Sequence, residues 1–395
     1  MPGEGELEGV SEESFAWGQS RPVASQGNPA DSEAAAKALC ASHFPVIMAG
    51  QGVLYAKATD ELVELAELLQ APVCSTLLGK SAFPEVHPLA LGSTGPTMSG
   101  HAYHFIRRSD LIFGVGTSFT KHGMVMNIPS GKKLIQATND ASDINKDYNI
   151  DFPIVGDAKL VLRQMIDACR EIVGDSRKED QSTAKEVQSE RDGWLSQWRA
   201  KLTSSEVPMT PYRVIWDFMH TIPPEDAIVT HDSGSPRDQI CAFYRSNGPR
   251  TYIGWGKSHG LGTGLGLTIG AKLAAPEKVC VNFMGDAAFG MVGLDFETAV
   301  RSNIPIITVV LNNSTMAIET QSMTDSHGLY GTRDLGGNYA DLGKAMGGYA
   351  ERIEDPSQIG AAFTRARKVT EEEGKAVLLE FITSEETEFS HRRAF

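Results

Sequence analysis

Val279-Cys280-Val281-Asn282-Phe283-Met284 leads into Gly285-Asp286-Ala287, and after a helix-like segment from Gly293 to Ser302 comes Ile304-Pro305-Ile306-Ile307-Thr308-Val309-Val310-Leu311, ending in Asn312-Asn313. Two mostly apolar runs joined by a helical segment describe a strand-helix-strand unit with parallel strands covered on both faces. An acid after the first strand and an amide after the second then meet at the carboxyl edge of the sheet, where open α/β sheets bind ligands. Gly285 allows a sharp turn after its strand. Magnesium takes oxygen ligands in near-octahedral geometry and is held by one or two protein groups plus phosphates, so Asp286, an amide and a backbone carbonyl suffice. The first amides of the helix Gly293 to Ser302 are expected to face a diphosphate.

Gly-Asp-Ala followed by Asn-Asn at this spacing resembles the signature of thiamine-diphosphate enzymes, with Ala287 and Ala288 where the family's pattern begins with Gly at the first of these positions. The resemblance implies thiamine diphosphate and Mg2+ as cofactors. It also implies Asp286 and Asn313 as side-chain metal ligands, a backbone carbonyl ligand from Thr315, and contacts from Gly285, Ala287, Ala288 and Met316. A second segment, His259-Gly260-Leu261-Gly262-Thr263-Gly264-Leu265-Gly266, precedes a helix-like run through Ile269-Gly270-Ala271. Glycine at this density lets backbone approach a ligand closely. It resembles the family's segment under the cofactor, which implies Leu261 as the wedge that bends the two rings together, the carbonyl of His259 as acceptor from the aminopyrimidine, and Gly260 beside them. His231 and His259 are also acid-base candidates, since imidazole titrates near neutral pH.

At 395 residues, 41% of them hydrophobic, the chain is long enough for two or three domains with real cores. A net charge of −14 argues against nucleic acid as a partner. Cys40, Cys74, Cys169, Cys241 and Cys280 show no Cys-x-x-Cys spacing and read as buried thiols of a reducing compartment. The acidic amino terminus carries no secretory signal, and no apolar run reaches the ~18 residues that span a membrane. The expectation is a cytoplasmic protein acting on a small-molecule substrate.

Residues 1–33 are rich in Gly, Ser, Glu and Pro and read as a linker or arm, with order expected from an Asp31-Ser32 cap over a helix Glu33 to Cys40. Residues 34–174 alternate strand and helix: Pro45 to Ala49, Asp60 to Gln70, Pro72 to Thr76, Asp110 to Val115, Lys133 to Thr138 and Ala158 to Ile172. This predicts a doubly wound α/β domain with a parallel sheet. Gly50-Gln51-Gly52 and Gly114-Val115-Gly116 follow strands without completing Gly-x-Gly-x-x-Gly, so structural turns are favoured over a nucleotide cradle. The domain resembles the central domain of acetolactate-synthase-like enzymes through Pro45 to Gly52, Pro72 to Lys80 and His87 to Gly92, so FAD or a nucleotide there is possible and not favoured. Residues 175–206 form a charged connector with a helix Ser182 to Leu202, whose Trp194 and Trp198 are expected to pack inward. Residues 207–395 resemble the diphosphate-binding domain, a second doubly wound parallel sheet.

Full-length relatives begin with a pyrimidine-binding domain that supplies the glutamate activating the cofactor, and no residue here matches it. The resemblance therefore implies a separate subunit carrying that domain, in a heterotetramer. It implies lyase or carboligase chemistry on a 2-oxo acid or 2-hydroxyacyl compound, acetolactate synthase-like first and 2-hydroxyacyl-CoA lyase or 2-oxo acid decarboxylase second. A noncatalytic regulatory subunit that keeps the fold is the reading of another class. Substrate candidates are Met316, Glu319, Gln321, His327, Tyr330, Arg333 and the tail Ser390-His391-Arg392-Arg393. The tail itself reads either as a mobile lid or as a disordered end.

Overall fold

β-branched apolar runs alternating with amphipathic helices produce twelve strands among residues 23–174, 180–256 and 260–395, the residues that a computed structural model describes. Every strand pairing in it is parallel. In the first domain β1 (Pro45–Ala49), β2 (Val73–Thr76), β3 (Ala90–Thr94), β4 (Leu111–Val115), β5 (Lys133–Thr138) and β6 (Phe152–Val155) lie in the order β3-β2-β1-β4-β5-β6. Such an order winds outward in both directions from β1, and covering helices bury both faces. The helix Thr59–Leu69 does this with Leu62, Leu65, Ala66 and Leu69, the face expected from the sequence.

The first helix starts earlier than expected, at Pro29, and runs to Ala41. Asn28 is the cap, its side chain accepting from the Ala30 amide, and Pro29 presets the helical φ at the first position. Asp31 and Ser32 therefore sit inside the first turn. Gly50 and Gly52 pack directly on Gly116; a Cβ on Gly50 would collide with the Gly116 carbonyl. These turns serve close backbone approach at the switch between β1 and β4, beside a cavity of about 340 Å3.

The second domain contains β7 (Ala227–His231), β8 (Tyr252–Ile253), β9 (Val279–Gly285), β10 (Ile307–Asn312), β11 (Tyr349–Ile353) and β12 (Val377–Ile382), in the order β11-β12-β10-β9-β7-β8. The direction of winding reverses between β7 and β9, which places a crevice outside their carboxyl ends. The helix expected over Gly293 to Ser302 is present as Asp295–Arg301, and a short helix not expected from the sequence, Asp286–Val292, precedes it. The earlier helix ends where Gly293 is pressed onto the Phe289 ring, 2.6 Å from a Cβ placed there. The helix start at the sheet edge is thus Asp286 itself.

The connector helix Ser182–Leu202 buries Trp194 and Trp198, and Trp194 stacks on Phe243 of the second domain at 4.8 Å. Between domains, Lys80 Nζ meets both oxygens of Glu85 at 2.7 and 2.6 Å and donates to the Tyr244 carbonyl at 2.8 Å. Ser246 donates to Glu85 through its amide and hydroxyl. The tail is docked on the first domain: Ser390 Oγ donates to the Met98 carbonyl at 2.7 Å, the Arg393 amide donates to the Pro96 carbonyl at 2.8 Å, and the Tyr103 ring stacks on His391 and Phe395. No helix among the described residues is long and apolar enough to cross a membrane.

Two predictions come from this packing. Lys80→Met strands the Glu85 carboxylate in an interior from which water is excluded, and urea unfolding is expected to show a loss of about 3–5 kcal/mol. Burial, with Arg191 and Arg245 nearby, holds the His101 imidazole well below its ordinary value of 6.5. As pH falls through that value the unfolded chain takes up a proton the folded one refuses, so the group costs stability below it, with a limiting slope of about 1.4 kcal/mol per pH unit. Unfolding at pH 7 and pH 5.5 is expected to show a smaller acid-side loss in His101→Asn than in the parent.

Candidate cofactor and metal site

Four loops at the carboxyl edge of the second sheet enclose a cavity of about 420 Å3, lined among others by Ser233, Gly234, Arg237, Leu261, Gly285, Asp286, Ala287, Ala288, Asn313, Thr315 and Met316. Parallel register sets Gly285 beside Leu311, so the residues that follow β9 and β10 emerge together. Asp286 is 3% exposed. Its Oδ1 accepts from the Ala287 amide at 2.8 Å and its Oδ2 from the Ser314 amide at 2.7 Å. Burial pushes its carboxyl up from the ordinary value while these amides pull it back. Asn313 Oδ1 accepts from the Thr315 amide at 3.1 Å, and the Thr315 carbonyl accepts from the Ala317 amide at 2.9 Å. A carboxylate, an amide oxygen and a carbonyl, all oxygen donors beside a helix start, fit a hard cation such as Mg2+.

The glycine run is held by a residue the sequence reading passed over. Asp232, fully buried after β7, accepts from the amides of Ser233 at 2.7 Å, Gly262 at 2.8 Å and Gly264 at 3.0 Å. Burial raises its carboxyl and the three amides counteract it. Gly262 takes φ +98°, and a Cβ on Gly264 would lie 3.0 Å from the His231 backbone and collide with Asn282 Oδ1. Leu261, directly before this clamp, has its side chain on the cavity, half buried against the cluster that includes Val292.

Glu380 is a second unforeseen support. Fully buried in β12, it accepts from Asn312 Nδ2 at 2.7 Å, the Ala340 amide at 2.9 Å and Arg352 Nη1 at 3.1 Å. It thereby fixes the turn that presents Asn313. Its one sequence signal is an acid in the otherwise apolar run Val377-Leu378-Leu379-Glu380-Phe381.

Not every expected residue reaches the cavity. Gly260 lies exposed at the start of its loop, and His259 falls outside the described residues. His231 is buried against Gly254, whose Cβ would strike its ring, and it does not line the cavity. His327 sits on the short helix Thr324–Tyr330, and Arg333 lies 4.0 Å from Glu385; neither lines the cavity. Arg333 contributes by its carbonyl, which accepts from the Met316 amide at 2.8 Å. Glu319, Met316 and Arg392, by contrast, all do line it.

Comparison with known proteins follows the same division. Residues 32–165 match the model "Thiamine pyrophosphate enzyme, central domain" and residues 232–381 the model "Thiamine pyrophosphate enzyme, C-terminal TPP binding domain". The chain belongs to the thiamine pyrophosphate enzymes. Among relatives of this thiamine pyrophosphate enzyme chain are a probable acetolactate synthase large subunit of Methanococcus aeolicus, 30% identical over 86% of this chain and 59% of the relative. Another is the sulfoacetaldehyde acetyltransferase of Alcaligenes xylosoxydans xylosoxydans, 28% identical over 93% of this chain and 65% of the relative. The chain thus spans about six tenths of the length of these curated relatives. Benzoylformate decarboxylase from Polynucleobacter necessarius shares the fold, with a TM-score of 0.72 at 22% identity over 93% of this chain and 67% of that one.

Asp232→Asn replaces one carboxylate oxygen by an amide donor facing a glycine N–H. Urea unfolding is expected to show a loss of about 1–3 kcal/mol, the cost of leaving a buried donor unmatched.

Proposed function

We propose that this chain is the diphosphate- and metal-binding part of a thiamine-diphosphate- and Mg2+-dependent lyase or carboligase acting on a 2-oxo acid or 2-hydroxyacyl compound, acetolactate synthase-like in its chemistry. The observation that carries the reading is the convergence of Asp286, Asn313, Thr315 and Leu261 on one cavity at the switch point of the second sheet. When bound, thiamine diphosphate supplies a ring carbon that adds to a carbonyl and accepts the electrons of the carbon–carbon bond being made or broken. The chain's own residues bind and orient. Asp286 and Asn313 offer side-chain oxygens, and Thr315 its carbonyl, to the cation that neutralises the diphosphate. Leu261 gives an apolar support for the rings, held in place because Asp232 fixes the next turn.

The activating glutamate is assigned to a separate pyrimidine-binding domain. Supporting this, Met291, near the end of the helix that starts at Asp286, and Leu294, just before the next helix, are 61% and 74% exposed. Gly262 faces the Val292 side chain between them. Exposed apolar side chains of this kind suit coverage by a second polypeptide. With a partner of that kind the assembly would be a heterotetramer.

Calorimetric titration of thiamine diphosphate with Mg2+ tests the reading. The parent chain, with its partner present, is expected to bind, and Asp286→Ala to weaken binding by about a hundredfold or more, since a buried charged ligand is lost. Leu261→Ala is expected to leave binding within about tenfold while turnover of pyruvate falls by more, because misorientation acts on the reacting geometry. No binding by the parent would overturn the proposal.

A further inference from the structure

The same cavity has a second polar wall that the metal and diphosphate reading leaves unused. Arg237, on the helix Ser235–Phe243 that begins just after β7, lines the cavity at 1% exposure. Among the described residues its guanidinium donates one hydrogen bond, Nε to Asp238 Oδ1 at 2.6 Å. Nη2 lies 2.6 Å from that same oxygen and is buried without a hydrogen-bond partner of its own. Asp238 Oδ2 is likewise buried and lacks a hydrogen bond, with Arg392 Nε of the tail 3.6 Å away. A guanidinium taken out of water with donors unmatched is costly unless an anion completes it.

Other charged side chains lie close to this guanidinium. Glu319 lines the same cavity, and while burial raises its carboxyl, a backbone amide and then the charges of Arg237 and Arg392 pull it back. Arg393 lines the cavity as well. Around the cavity Arg237, Arg392 and Arg393 are matched in number by Asp238, Glu319 and Asp286, so it is the unmatched edge of the Arg237 guanidinium, and not net charge, that calls for an anion. Asp286 at the opposite loops is satisfied by backbone amides of its own. The forked geometry of an arginine suits an oxyanion, which accepts two parallel N–H bonds.

We propose that Arg237, oriented by Asp238 and joined by Arg392, forms an oxyanion subsite that takes the carboxylate, phosphate or sulfonate of a small substrate. This deepens the proposed function and rests on it for the neighbouring cofactor. Asp238 is a positioning residue here. Its ion pair sets which edge of the guanidinium faces the cavity, and Arg392 reaches it because the tail is bonded to Pro96 and Met98.

The test uses the full chain, with its partner, loaded with thiamine diphosphate and Mg2+, titrated calorimetrically with inorganic phosphate and with pyruvate. Arg237→Met is expected to weaken at least one of these anions about tenfold or more, and Arg237→Lys less, since it keeps the charge and loses the fork. Thiamine diphosphate is expected to bind both variants within about twofold of the parent. Arg392→Gln, on the partly exposed tail, is expected to weaken the same anion and serves if the Arg237 variants do not fold. Weaker cofactor binding with unchanged small anions would assign Arg237 to the diphosphate and overturn the subsite. So would an Arg392→Gln chain and Arg237 variants that bind phosphate and pyruvate like the parent, or a parent that binds neither. If the parent binds no cofactor yet loses anion binding on Arg237 substitution, the subsite stands and the cofactor reading falls.

Discussion

A single buried carboxylate organises this molecule's second domain. Among the described residues three backbone amides, two of them in the glycine run, take the charge of Asp232. Charge-assisted hydrogen bonds of this kind are stronger than neutral ones, and here they join the end of β7 to a loop some thirty residues on. The glycines are required because the loop passes so near the β7 backbone that a Cβ at Gly264 has no room. From that clamp follow the position of Leu261, the contact of Gly262 with Val292, and through it the helix that begins at Asp286.

The remaining half of the edge depends on side chains answering backbone in the same manner. Asp286 caps the Ser314 amide, Asn313 the Thr315 amide, and Glu380 supports Asn312 from the next strand. The side-chain oxygens at this edge are thus already oriented by the fold, and under the proposed function that preorganisation suits a cation with near-octahedral demands. Each of these acids is buried, and each is balanced by amides or, at Glu380, also by Arg352. The site is built on strand ends rather than on long free loops.

What was legible in the sequence and what was not divide along the range of the interactions. Apolar runs such as Val279 to Met284 and Ile306 to Leu311 announce buried parallel strands by composition, and Gly285, Asp286 and Asn313 announce the edge they share. The clamp by Asp232 and the support by Glu380 join residues distant in sequence, and a lone acid after or within a strand carries little sign of its partner. Helix boundaries were missed locally: Asn28 rather than Asp31 caps the first helix, and the short helix Asp286–Val292, which ends where Gly293 meets the Phe289 ring, was not foreseen. Arg333 and His327 looked like site residues by proximity in sequence to Asn313, yet the chain turns them away and keeps only the Arg333 carbonyl. Arg237 escaped because nothing in Ser235-Pro236-Arg237-Asp238 discloses that the pair is buried.

The docked tail has a further meaning for how the molecule comes apart. Ser390 and Arg393 of the second domain are bonded to Met98 and Pro96 of the first, the connector's Trp194 donates to Ser390 Oγ at 3.0 Å, and Lys80 with Glu85 seals the same seam. Neither domain can open without exposing groups of the other. Shared contacts of this kind favour unfolding of the two sheets together, and a lesion in the loop around Pro96 is expected to reach the cavity through the tail that carries Arg392.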